Sequence, residues 1–165
     1  FHDVNRFITL GPHPGTDNIS IPDYVKAVTT GKTPDGTTPL EISQQLHRHS
    51  DKALKILDGF PAVQDKELRR TLGDIRAMAL LGKYYAHKVR GSTEVALYRE
   101  TKDKAHQDAA VKELTQAADY WDRYVATASV QYQNPIRLNR VGVCDWQALT
   151  DEVCKDIEIA RRPAE

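Results

Sequence analysis

Four cations recur every seven residues along one stretch of the chain: Arg69, Arg76, Lys83 and Arg90. Farther round the same stretch, Tyr84, His87, Glu94 and Tyr98 form a polar and aromatic stripe. Guanidinium groups pair bidentately with carboxylates, so this set has the makings of a groove for an acidic sugar or another anionic partner. The competing reading is a solvated face plus buried tyrosines bonded to neighbouring helices. That reading carries more weight, because the central helix of a bundle needs one polar face in any case. The candidate ligand-binding residues are thus Arg76, Lys83, Tyr84, His87, Arg90, Glu94 and Tyr98.

A second concentration, Trp121, Arg123, Tyr124, Tyr132, Arg137, Arg140 and Trp146, lies nearer the C-terminus. Such aromatics suit sugar rings, yet Trp121 and Trp146 fall on apolar helix faces, where packing is the expected job. Metal binding fails on spacing. No two of the six histidines are four apart, no Glu-x-x-His occurs, and His47 and His49 point to different sides of one helix. His49, on the predicted apolar face, reads as a hydrogen-bonded core histidine. Neither cysteine sits in a nucleophile signature, there is no Gly-x-Ser-x-Gly elbow and no phosphate-cradling glycine loop. The expectation is therefore no catalytic residue, no metal and no cofactor.

These side chains need a scaffold. Leu68, Leu72, Ile75, Ala79, Gly82, Ala86, Val89, Thr93 and Ala96 alternate at steps of four and three, which predicts one long helix from Lys66 to Glu100. Such a helix spans roughly 50 Å and requires other helices along its length. Gly73, Gly82 and Gly91 fall inside it and read as points of close helix contact. Thr38-Pro39-Leu40-Glu41 is a helix start with cap, Pro at the first position and a reciprocating Glu. The helix it opens carries Ile42, Leu46, His49, Ala53 and Ile56 on one face and ends at Asp58-Gly59. Ser20 to Gly31 predicts a short helix, Lys104 to Ala128 a long one, and Asp145 caps a last one. Gln131-Tyr132 and Val141-Gly142-Val143 are too short to propose a sheet, and the first twenty residues read as loop. The expected fold is all-α: an antiparallel bundle of four main helices plus a short N-terminal helix.

Composition fits that picture. The chain has 165 residues, 40% hydrophobic and 28% charged, enough for one domain with its own core. Lys+Arg and Asp+Glu both number 23, so nothing points to nucleic acid. No apolar run is long enough to span a membrane. Cys144 and Cys154 are too far apart on the predicted elements for a disulfide and read as buried free thiols. The chain opens at Phe1 rather than Met, which reads as a piece of a longer protein, with residues 1–20 as a linker from a missing upstream domain and 21–165 as the bundle.

The run Leu72 to Ala86, continued by Lys88 to Glu94, resembles the C-terminal helical region of large secreted bacterial proteins that act on carbohydrates, glycoside hydrolases and carbohydrate-binding proteins among them. Ala117 to Trp121 with Tyr124, Asp145 to Thr150 and Asp156 to Arg161 share the resemblance, which covers Pro22 to Arg161. It implies a non-catalytic accessory module, extracellular or periplasmic, packed against an upstream catalytic domain of the same polypeptide. A carbohydrate-binding module, with a glycan as partner, and a helical scaffold for protein partners are the alternatives. The resemblance carries no catalytic residue onto this sequence.

Overall fold

A computed structural model describes residues 2–139 and 142–164, so Phe1, Arg140 and Val141 of the sequence reading lie outside the described residues. The described chain is all-α with one small hairpin. Six helices run in order: α1 (Val4–Thr9), α2 (Ile21–Thr29), α3 (Pro39–Asp58), α4 (Lys66–Thr101), α5 (Lys104–Gln131) and α6 (Trp146–Arg161). Between α5 and α6, β1 (Ile136–Leu138) and β2 (Gly142–Cys144) pair antiparallel, a hairpin too short for sequence periodicity to register.

Every helix starts at a side-chain cap: Asp3, Ser20, Thr38, Asp65, Asp103 and Asp145 each accept a first-turn N–H. At α3 the predicted capping box is complete, with the Glu41 carboxylate accepting from the Thr38 N–H at 2.8 Å. Lys102, at φ 59°, ends α4 in the left-handed region, and Asp103 opens α5 directly afterwards. So short a turn makes α4 and α5 antiparallel neighbours. Residues 4–9, read as loop, instead form α1. Six residues are too few for a helix to hold by propensity, and tertiary contact fixes this one.

The long helix is continuous over 36 residues, about 54 Å at ~1.5 Å per residue, and α3 and α5 pack along it. Its glycines repeat at nine residues, about two and a half turns, so successive glycines face opposite neighbours. Gly73 and Gly91 face α5, where an added Cβ would sit 2.5 Å from the Gln131 side chain and 2.7 Å from Leu114. Gly82 faces α3, where it would meet Ser50 Oγ at 2.4 Å.

That contact corrects the predicted inner face of α3. Pro39, Ser43, Ser50 and Leu57 are the buried residues, whereas His49 and Ile56 are exposed. Ser43 Oγ donates to the Ala86 carbonyl at 2.8 Å, so a small hydroxyl seats against the α4 backbone where a larger apolar chain would not fit. The inward histidine of α3 is His47, not His49.

Two cores share α4. One is aliphatic, built from Val4, Ile8, Ile21, Val25, Val95, Leu97, Ala110, Leu114 and Ala160. The other is aromatic, centred on Tyr84, Trp121 and Trp146 with Val125 and Val153, and the hairpin residues Ile136 and Cys144 pack against it. Near the aliphatic core, Lys88 (1% exposed) donates to Asp156 (2% exposed) at 2.6 Å and to the His2 carbonyl at 2.8 Å. Asp156 also accepts the Val4 N–H at 2.8 Å, which ties α1, α4 and α6 through one buried ion pair. Burial pushes the Lys88 ammonium below and the Asp156 carboxyl above their usual ranges, with mutual attraction opposing both shifts. The cysteines are free as expected, but Cys144 is half-buried and Cys154 exposed on the outer side of α6.

Candidate functional site

The heptad cations of α4 do not form a single open strip. Arg76 is half-buried and reaches the end of α3, donating to Asp58 at 2.8 Å. One turn-pair on, Lys83 is buried and donates to Asp51 of α3 at 2.7 Å. Arg90 Nε lies 3.4 Å from Glu113 of α5. Each of these three cations therefore already holds a carboxylate of a neighbouring helix.

Around Lys83 and Arg90 the three helices build a polar seam. The His87 ring stacks on Tyr120 of α5 at 5.3 Å and meets His47 of α3 edge-on at 4.4 Å. His87 Nδ1 and Glu113 Oε2 are 2.7 Å apart, and an ionised carboxylate can only accept, so Nδ1 carries the hydrogen. Tyr120 also receives Lys83 Nζ at 5.2 Å and the Arg123 guanidinium at 4.8 Å from its centroid, both cation–π contacts. The bond from His87 is the main reason the Glu113 carboxyl is held below its usual range, with burial pulling the other way. Burial is also the main reason His47 is shifted down, and the neighbouring Lys83 and His87 add to it. The chemistry of this seam is mutual neutralisation: each of its carboxylates carries a cation of its own.

The other predicted residues separate. Tyr84 turns the opposite way into the aromatic core, 5.2 Å from Trp121, and burial pushes its phenol well up. Glu94 bonds His106 of α5 at 2.7 Å, and Tyr98 Oη accepts the Ala164 N–H at 3.3 Å. So Lys83, His87 and Arg90 come together, while Arg76, Tyr84, Glu94 and Tyr98 do not join them. His47 and Asp51, four apart on α3, and Glu113 and Tyr120, seven apart on α5, complete the seam and were missed. Their helical spacing was the available signal.

A groove of about 670 Å³ opens at the other end of the α4–α5 pair. Lys66, Arg69 and Arg70 from the first turns of α4 form one wall, and Ala126, Val130 and Gln131 from the last turns of α5 form the other. Gly73 lies between them. The Gln131 amide crosses Gly73 and donates to Asp74 Oδ1 at 2.8 Å, and Tyr132 Oη donates to the same oxygen at 2.5 Å. Among the described residues no group of three or more His, Cys, Asp and Glu side chains is placed to hold a metal ion. Nor is any described helix long and apolar enough to cross a membrane.

No family model and no curated protein matches the chain. Among solved structures it is similar to a GH138 enzyme targeting pectin rhamnogalacturonan II, with a TM-score of 0.79 at 17% sequence identity. The likeness is one of fold, and it covers 98% of this chain but only 26% of that much longer enzyme.

Proposed function

We propose that the chain is a non-catalytic helical module of a secreted bacterial glycan-degrading protein, packed against a catalytic domain of the same polypeptide with residues 1–20 leading in from it. The observation that carries this reading is the fold likeness over nearly the whole chain to about a quarter of a glycan-targeting enzyme. The polar seam supports it. Asp51 and Glu113 are committed to Lys83, His87 and Arg90, so the carboxylates of the seam are not a free pair opposed across an open cleft of the kind glycoside hydrolysis uses. Ile75, Met78 and Tyr85 fall on one side of α4 and are exposed, an apolar surface suited to another domain.

The test is release of reducing ends from pectin and other polysaccharides by the chain alone. None is expected. Release that a single substitution such as Glu113→Gln abolishes would overturn the reading. In the longer protein, deleting the bundle should lower the melting temperature of the remaining domain, and an unchanged melt would remove the packing contact from the proposal.

A further inference from the structure

We infer that the groove between the first turns of α4 and the last turns of α5 binds the carboxylate of a uronic-acid sugar in an acidic glycan, an inference that rests on reading the chain as a module of a glycan-degrading protein. The cations decide the position. Arg76, Lys83 and Arg90 are each committed to a carboxylate within the bundle, but the side chains of Lys66 and Arg69 make no hydrogen bond or ion pair among the described residues. Arg70 has only an exposed contact of 3.7 Å to Glu67. An unengaged guanidinium beside a groove is a bidentate receptor for a carboxylate.

The opposite wall has different chemistry. Ala126 and Val130 are apolar, and Val130 is 86% exposed, so this wall gains by being covered. A pyranose ring offers C–H bonds on its faces and hydroxyls at its edge. The Gln131 amide can meet those hydroxyls: Nε2 gives one hydrogen to Asp74, while Oε1 accepts no hydrogen bond among the described residues. Gly73 is what lets this amide lie so close to α4, since a side chain there would displace it. A cation for the carboxylate, a fixed acceptor for a hydroxyl and an apolar wall for the ring together describe a uronate, in a space of the size that ligand sites occupy.

Calorimetry on the whole chain tests this with galacturonate and glucuronate oligomers, a neutral galactose oligomer of equal length, and an oligoglutamate peptide. A uronate oligomer should bind at least about tenfold more tightly than the neutral one, and Arg69→Ala should cost about tenfold or more. The melting temperature of Arg69→Ala should stay at the native value, Lys104→Ala at the far end should bind normally, and affinity should fall as salt rises. Absent heat with both uronates, equal binding of the neutral oligomer, or an unaffected Arg69→Ala would overturn the inference. Binding of oligoglutamate as tight as that of the uronates would overturn it too, by assigning the groove to an acidic protein segment. The two readings fail separately: a chain that neither binds uronates nor releases reducing ends loses this site but stays a module, whereas hydrolysis by the chain removes the module reading whatever the calorimetry gives.

Discussion

The two cores along α4 are held by opposite means. The aliphatic end gathers side chains from α1, α2, α4, α5 and α6 and is stitched by Lys88 and Asp156, a charge pair sealed from water. The aromatic end draws on neighbours closer in sequence, and its buried Trp121 Nε1 donates to Thr150 Oγ1 at 3.1 Å. Rings supply much apolar area and their own geometric preferences, and the buried charge reaches that end only at its border, where Lys88 Nζ lies 5.6 Å from the Tyr84 ring centre. Short helices such as α1 bring little area, and a directional ionic contact fixes them where apolar area alone is thin. The Val4 N–H bonded to Asp156 is the visible result.

The largest expected effect breaks the aliphatic end. Lys88→Met strands the Asp156 carboxylate and should cost ~3–5 kcal/mol in urea titrations. Adding Asp156→Asn should restore part of that loss, because a neutral amide needs no counter-ion and can still accept from Val4. A double variant no more stable than Lys88→Met would mean that packing, not stranded charge, causes the loss. At the aromatic end, Trp121→Phe keeps a ring but drops the bond to Thr150, and should cost ~1 kcal/mol beyond the smaller ring. Hydrogen exchange at the Val4 amide should rise in the first variant and stay native in the second. If both variants open Val4 alike, the cores unfold as one unit.

The smallest effect belongs to the seam between them. His47 is shifted down in the folded chain, chiefly by burial, while an unfolded histidine takes its proton near ~6.5. Below that value the unfolded chain holds the extra proton, so stability should decline as pH falls toward about 5.5. His47→Asn should flatten that part of the curve by a few tenths of a kcal/mol, seen as melting temperatures across about pH 5.5 to 7.5. Glu113 acts in a separate window: its carboxyl is shifted down, so its contribution is present above the ordinary carboxylate range and lost in stronger acid.

Much of the architecture was legible because local chemistry agreed with it. The Thr38 box, the Asp145 cap, the uninterrupted α4 and its three contact glycines all follow from short-range signals that the fold leaves intact. The inner face of α3 was misread by about one residue in phase, because periodicity counts apolar side chains and this interface uses Ser43 and Ser50 against Ala86 and Gly82. Lys88 and Asp156 were illegible as partners, since charged residues read as surface and 68 positions separate them. Of the candidate residues, Lys83, His87 and Arg90 lie together in the seam, but their partners on α3 and α5 depend on helix pairing that no single helix reveals. Arg69 was seen as one member of a repeat. Its distinction, a side chain with no ion-pair partner among the described residues, exists only in three dimensions.

Glycine inside a helix ordinarily supplies a place to flex, and α4 has three. Here each is wedged, Gly73 under Gln131, Gly82 against Ser50 and Gly91 against Leu114, on alternating sides of the rod. A bend toward the neighbour at any of them would meet that side chain, so the packing opposes flexing in that direction. The helix behaves as a spacer of constant length. Whatever engages the turns near Lys66 is held about 54 Å from the Thr101 end, at a fixed bearing to the segment wrapped there.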